Sequence, residues 1–149
     1  MKKCRLTVTA LCLSALMLFS PTVMKAENPF MAPYGTPFNM PPFDKISNSD
    51  YLPAFEEGIR QHNQEIEAII NNRAVADFDN TIAALDNAGQ LLENVTYVFN
   101  GLYDACSTPE LQTLGEQILP MLSKHNDEVM MNERLFSRVK QVYDNRKKF

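Results

Sequence analysis

The chain has 149 residues, which at roughly 100–200 residues per domain is room for one ordinary domain. Its 45% hydrophobic and 21% charged content is that of a globular protein and excludes a disordered one. Five glycines are too few for a glycine-rich phosphate fold, and only two histidines with no tryptophan weigh against a self-contained metal or acid–base site.

Residues 1–26 read as a secretory signal peptide. Lys2, Lys3 and Arg5 form a basic start, Leu6 to Phe19 is a mostly apolar run, Pro21 breaks it, and Ala26 offers a small residue for cleavage. The run is shorter than the ~20 residues that a membrane-spanning helix needs, which disfavours an uncleaved anchor. Leu11 before Cys12 and Lys3 before Cys4 argue against a lipoprotein site. The expected location is therefore exported, periplasmic or secreted. Four of the 14 basic residues and none of the 18 acidic ones lie in this leader, so Glu27–Phe149 carries 10 against 18, a net of −8. That sign repels phosphate backbones and excludes nucleic acid as the expected partner. Cys4 and Cys12 leave with the leader, and Cys106 then has no disulfide partner.

Residues 27–48 form a separate zone. Pro29, Pro33, Pro37, Pro41 and Pro42 keep it extended, because each fixes its own φ and turns its predecessor away from helix. Phe30, Tyr34, Phe38 and Phe43 interleave with them, and disordered segments are depleted in aromatics. The expectation is a strap whose aromatic rings pack across a folded body.

Residues 49–149 read as an all-α, antiparallel helical domain of about four helices. Asp50 is the expected cap of the first, with Pro53 in its first turn. Leu52, Phe55, Ile59, Ile66, Ile69 and Ile70 share a face, and Asn71-Asn72 ends it. A second helix is expected after Asp79-Asn80, with the stripe Phe78, Ile82, Leu85, Gly89, Leu92, Val95, Phe99 and Leu102. Gly89 lies on that stripe, where a missing side chain admits a neighbouring helix at a cost of ~1 kcal/mol against alanine. Ser107-Thr108-Pro109-Glu110 is a strong start signal: a cap, proline at the first helical position, then an acid near the positive dipole end. Leu111, Leu114, Ile118, Met121, Leu122, His125 and Val129 follow on one face, and Pro120 should kink or divide this helix near Gln117. Asn132 caps a fourth segment with Leu135, Phe136, Val139, Val142 and Tyr143. Arg146, Lys147 and Lys148 suit a helix end, yet no glycine or proline stop follows Tyr143, so truncation at the carboxyl end is the favoured expectation.

Chemistry-bearing motifs are sparse. His62 is followed by Asn-Gln-Glu and His125 by Asn-Asp-Glu; neither fits H-E-x-x-H. With 63 positions between them, a zinc site would need two or more carboxylates to converge as well. His125 is expected as a half-buried, hydrogen-bonded side chain and His62 as a helix-surface residue. Cys106 lacks an evident base and is expected to be a small packed thiol. Glu56-Glu57 and Asp127-Glu128 read as solvated faces, and Asn94-Val95-Thr96 matches a glycosylation acceptor inside a predicted helix. No catalytic, cofactor-binding or metal residue is assigned.

An ordered set of short segments does resemble a known family. Asn28-Pro29-Phe30, Pro41-Pro42-Phe43-Asp44-Lys45-Ile46, Tyr51-Leu52-Pro53-Ala54-Phe55-Glu56-Glu57-Gly58-Ile59 and Phe78-Asp79-Asn80-Thr81-Ile82-Ala83-Ala84-Leu85 open it. Leu119-Pro120, Leu122-Ser123-Lys124-His125 and Asn132-Glu133-Arg134-Leu135-Phe136-Ser137-Arg138-Val139 complete it. The set resembles the amino-terminal region of the thimet oligopeptidase family of zinc metallopeptidases, in particular its bacterial dipeptidyl carboxypeptidase branch. The resemblance implies a mostly helical enzyme with a deep channel. Its zinc and H-E-x-x-H helix lie far downstream, and these helices form part of the opposite wall. It implies short peptides as substrates, zinc as the cofactor of the full-length enzyme, and the catalytic half as a partner. It carries no catalytic residue onto this chain. The alternative is a free-standing exported helical module that binds peptide or protein.

Overall fold

The computed structural model describes residues 27–148, so the expected leader lies outside the described residues. The strap begins with a 3₁₀ turn, Pro29–Met31, capped by the Asn28 side chain, which accepts the Phe30 N–H at 3.0 Å. The same amide donates to the Asp50 carbonyl at 2.8 Å and ties the strap to the first long helix. Phe30 is buried, 5.4 Å from the Tyr51 ring and 6.5 Å from Tyr34. The second half of the strap departs from expectation: Phe38 is 98% exposed and Phe43 is 51% exposed. A turn at Pro37–Asn39 puts both Phe38 (φ 58°) and Asn39 (φ 53°) in the left-handed region, which aims the Phe38 ring away from the body.

Helix α1 spans Asn48–Ile70. It starts before the expected Asp50 cap, because Ser47 occupies the cap and the Asp50 carboxylate reaches back to accept the Ser47 N–H at 2.8 Å. Asn71 closes it as expected. The expected second helix is in fact broken. Asp77 caps a π-helical turn, Phe78–Ala83, accepting the Asn80 N–H at 2.7 Å, and this runs into the short α2, Ala84–Asp86. Gly89 then takes φ +80°, a conformation that ends one helix and starts α3, Gln90–Ala105. Phe78, assigned to the apolar stripe, is 60% exposed because the π turn rotates it out of register.

Helix α4, Pro109–Met130, begins on the predicted cap, with Thr108 Oγ1 accepting the Leu111 N–H at 3.3 Å. It runs through Pro120 without division. Pro120 and Glu116 both face solvent, so the carbonyl freed four residues back can be satisfied by water. Asn132 caps α5, Glu133–Asn145, by accepting from Arg134 N–H and Leu135 N–H. Among the described residues the architecture is all-α, as expected.

Helices α1 and α3 pack antiparallel. Tyr51 and Phe55 sit on Phe99 (ring centroids 5.3 and 5.6 Å), Gly58 on Leu92, and Glu65 beside Gly89, so numbers rise on one helix as they fall on the other. Gly58 sets the seam, since a Cβ there would lie 2.9 Å from the Leu92 Cα. A second cluster, Ile66, Ile69, Ile70 and Leu135, joins α1 to α5. Beside it the buried Arg138 guanidinium donates to the Asn72 carbonyl (2.7 Å), Asn80 Oδ1 (2.8 Å) and Thr81 Oγ1 (3.3 Å). The bonds to Asn80 and Thr81 hold the π turn against α5, and the bond to Asn72 ties α5 to the end of α1.

Candidate functional site

A cleft of about 890 Å³ opens where α2 and the start of α3 diverge from α4. Its apolar lining includes Leu85, Leu92, Leu122 and Val129; Asp86 and Glu93 add negative charge, and among the described residues no lysine or arginine lines it. The Gly89 turn shapes one edge. Its N–H donates to Glu65 Oε2 at 2.6 Å, and its missing side chain leaves room for the His62 ring, which a Cβ would meet at 3.1 Å.

The two histidines meet at this edge. His62 Nδ1 and His125 Nε2 are 2.9 Å apart, with ring centroids 5.0 Å apart and planes at 68°. One nitrogen donates and the other accepts, which a neutral imidazole does with one ring nitrogen of each kind. His125 is hydrogen-bonded as expected but buried rather than half-buried, and its Nδ1 has no hydrogen-bond partner among the described residues. His62 is half-buried and corrects the helix-surface expectation. The signal was present: Ile59, His62 and Ile66 stand three and four apart, so His62 fills the seven-residue gap in the α1 stripe. Burial pushes both imidazoles below the ordinary histidine range; the His62 charge lowers His125 further, while Glu65 and Glu128 pull the other way.

This pair does not make a zinc site of the resident kind. Only two imidazole nitrogens converge, each already bonded to the other, and no group of three or more His, Cys, Asp or Glu side chains gathers among the described residues. Zinc chemistry needs three or four protein ligands, so no step through zinc is derived on this chain. Cys106 is exposed at the end of α3, which corrects the packed-thiol expectation; the helix terminates there, and none of the described residues covers it. Glu56 is exposed, and Glu57 takes two hydrogen bonds from Arg60 and one from Gln61. Those bonds, Arg60 first, lower the Glu57 carboxyl to about 2. Asp127 and Glu128 are exposed. Asn94 is exposed on α3, with Thr96 bonded back to the Leu92 carbonyl at 2.7 Å.

Arg138 was the residue that pattern reading missed. It stands three after Leu135 and four before Val142, on the same stripe, which is the spacing that buries a side chain.

Comparison with known proteins fits this helical frame. No protein-family profile matches the chain. It is 41% identical over 121 residues to the dipeptidyl carboxypeptidase of Salmonella typhimurium, and 42% identical over 123 residues to that of Escherichia coli. Over this stretch the chain is similar to members of the thimet oligopeptidase family. Oligopeptidase A of Escherichia coli is a more distant relative, 27% identical over 112 residues. The matches cover 81% and 83% of this chain, which spans 18% of the length of either dipeptidyl carboxypeptidase. The family resemblance carried by the strap and helix motifs thus holds, and so does the all-α architecture.

Proposed function

We propose that this chain is the amino-terminal, channel-wall portion of an exported zinc metallopeptidase that releases dipeptides from peptide carboxyl ends, and that it contributes no catalytic group. The observation that carries this reading is the identity of 41–42% with dipeptidyl carboxypeptidases, spread over four fifths of this chain but 18% of theirs. A wall built of long helices suits the role: it restricts entry to short unfolded peptides and leaves metal-activated water and a glutamate base to the catalytic half. Export follows the leader of residues 1–26, whose basic start and apolar run support it. A second reading, a free-standing peptide- or protein-binding module, is favoured by the open cleft of about 890 Å³.

A chimera separates the two. The matching segment of Escherichia coli dipeptidyl carboxypeptidase is replaced by residues 28–147 of this chain, and dipeptide release is measured on a blocked tetrapeptide and on a folded protein. The expected chimera cleaves the peptide and spares the folded protein. A folded, zinc-loaded chimera without dipeptide release would overturn the wall assignment. Dipeptide release by this chain alone would overturn the absence of a catalytic group. Peptide retained by the isolated chain, together with an inactive chimera, supports the binding module.

A further inference from the structure

We infer that the His62–His125 contact is an acid-released latch that holds α4 against α1 and the cleft edge. It is independent of the peptidase reading, because it rests on the pair's own geometry. Between α1 and α4 it is the one side-chain hydrogen bond among the described residues. The rest of that seam is apolar packing, with Ile118 and Leu122 of α4 in or against the core that includes Phe55 of α1.

The pair is bistable in protonation. With no proton added, one ring donates and the other accepts. One added proton is tolerated, since an imidazolium can still donate to a neutral ring. A second makes both facing nitrogens donors, so the bond is lost and two positive charges face each other at a 2.9 Å contact. Burial opposes even the first proton at His125.

The surrounding charges set how far this goes. Glu65 on α1 and Glu128 on α4 favour protonation, but Glu65 already accepts the Gly89 N–H, and Glu128 is exposed beside Lys124 at 3.6 Å. Asp86 from α2 and Glu93 from α3 line the cleft beyond the pair. None of the four carboxylates hydrogen-bonds to either ring, so none substitutes for the lost imidazole bond. The sign follows: both histidines bind protons more weakly when latched than when released, so the latched state holds above the ordinary histidine pKa of about 6.5 and weakens as pH falls below it. Two protons taken up on release raise the released fraction by up to ~100-fold per pH unit, one proton by ~10-fold.

Hydrogen exchange of the α4 amides on the purified chain, corrected for intrinsic rates, reads the released fraction between pH 7.5 and 5. The expected wild-type increase on acidification is ~10-fold or more beyond that of His62→Gln/His125→Gln, with His62→Gln intermediate. An identical pH dependence in wild type and double variant would overturn the latch. NMR titration of the two imidazoles in the wild-type chain tests it without any variant. Two coupled transitions below the ordinary histidine range are expected; two independent titrations near 6.5 would overturn it.

Discussion

Replacing Gly58 by alanine adds one methyl group where α1 meets α3. The new Cβ would sit 2.9 Å from Leu92 Cα, 3.1 Å from its N and 3.2 Å from its Cβ. Ordinary carbon contacts lie near 3.5–4.0 Å, so the seam must open by about half an ångström or more. Two of the three obstructing atoms are backbone, so no rotamer change relieves them; α3 itself must shift, dragging Phe99 off the Tyr51 and Phe55 rings. Overpacking of this sort costs about 1–3 kcal/mol, and alanine's better helix propensity returns roughly 1 kcal/mol, leaving a net loss of up to about 2 kcal/mol. Gly101 provides the control. It lies inside α3 with nothing within 4 Å of a built Cβ, so Gly101→Ala should stabilise by about 0.5–1 kcal/mol. Urea unfolding followed by circular dichroism should place the two variants on opposite sides of wild type, about 2 kcal/mol apart. Gly58→Ala as stable as Gly101→Ala would refute the claim that backbone contact at Leu92 sets the helix spacing.

Three further outcomes follow from the same packing. Arg138→Met removes three hydrogen bonds and leaves the Asn72 carbonyl without its donor, while Asn80 Oδ1 keeps only those from the Asp77 N–H and Thr81 Oγ1, costing about 2–4 kcal/mol; hydrogen exchange should show the loss concentrated at the π turn, residues 78–83. Phe30→Ala should destabilise by about 3–5 kcal/mol, because the ring is buried against Tyr51, whereas Phe38→Ala, at 98% exposure, should stay within about 0.5 kcal/mol of wild type in thermal unfolding. Thr108→Ala deletes the side-chain acceptor for the Leu111 N–H and should cost about 1 kcal/mol, recovered by Thr108→Ser in the same assay.

Local chemistry made the helix starts legible. Thr108-Pro109-Glu110 and Asn132 act within one turn of the chain, and both caps form where the residues call for them. The apolar stripes likewise marked Phe55, Val95, Phe99 and Ile118 as core, because a 3.6-residue period puts them on one face whatever they pack against. The family motifs were legible for a different reason: they are ordered in the sequence itself.

Tertiary structure decided what those patterns leave open. Periodicity runs straight through Gly89, since a stripe of side chains carries no record of a residue at φ +80°; the break appears only where Glu65 accepts its N–H and the His62 ring fills the space beside it. Backbone-close helix approach falls at Gly58, where α3 crosses α1 at Leu92, while at Gly89 α1 brings the His62 side chain close. His62 and His125, 63 positions apart, became partners only when α4 was laid across α1. Arg138 could be buried only because the π turn presents two acceptors to it and the Asn72 carbonyl a third. Spacing along one helix states which face is inward. Which residue waits on the other side is settled by how the helices cross.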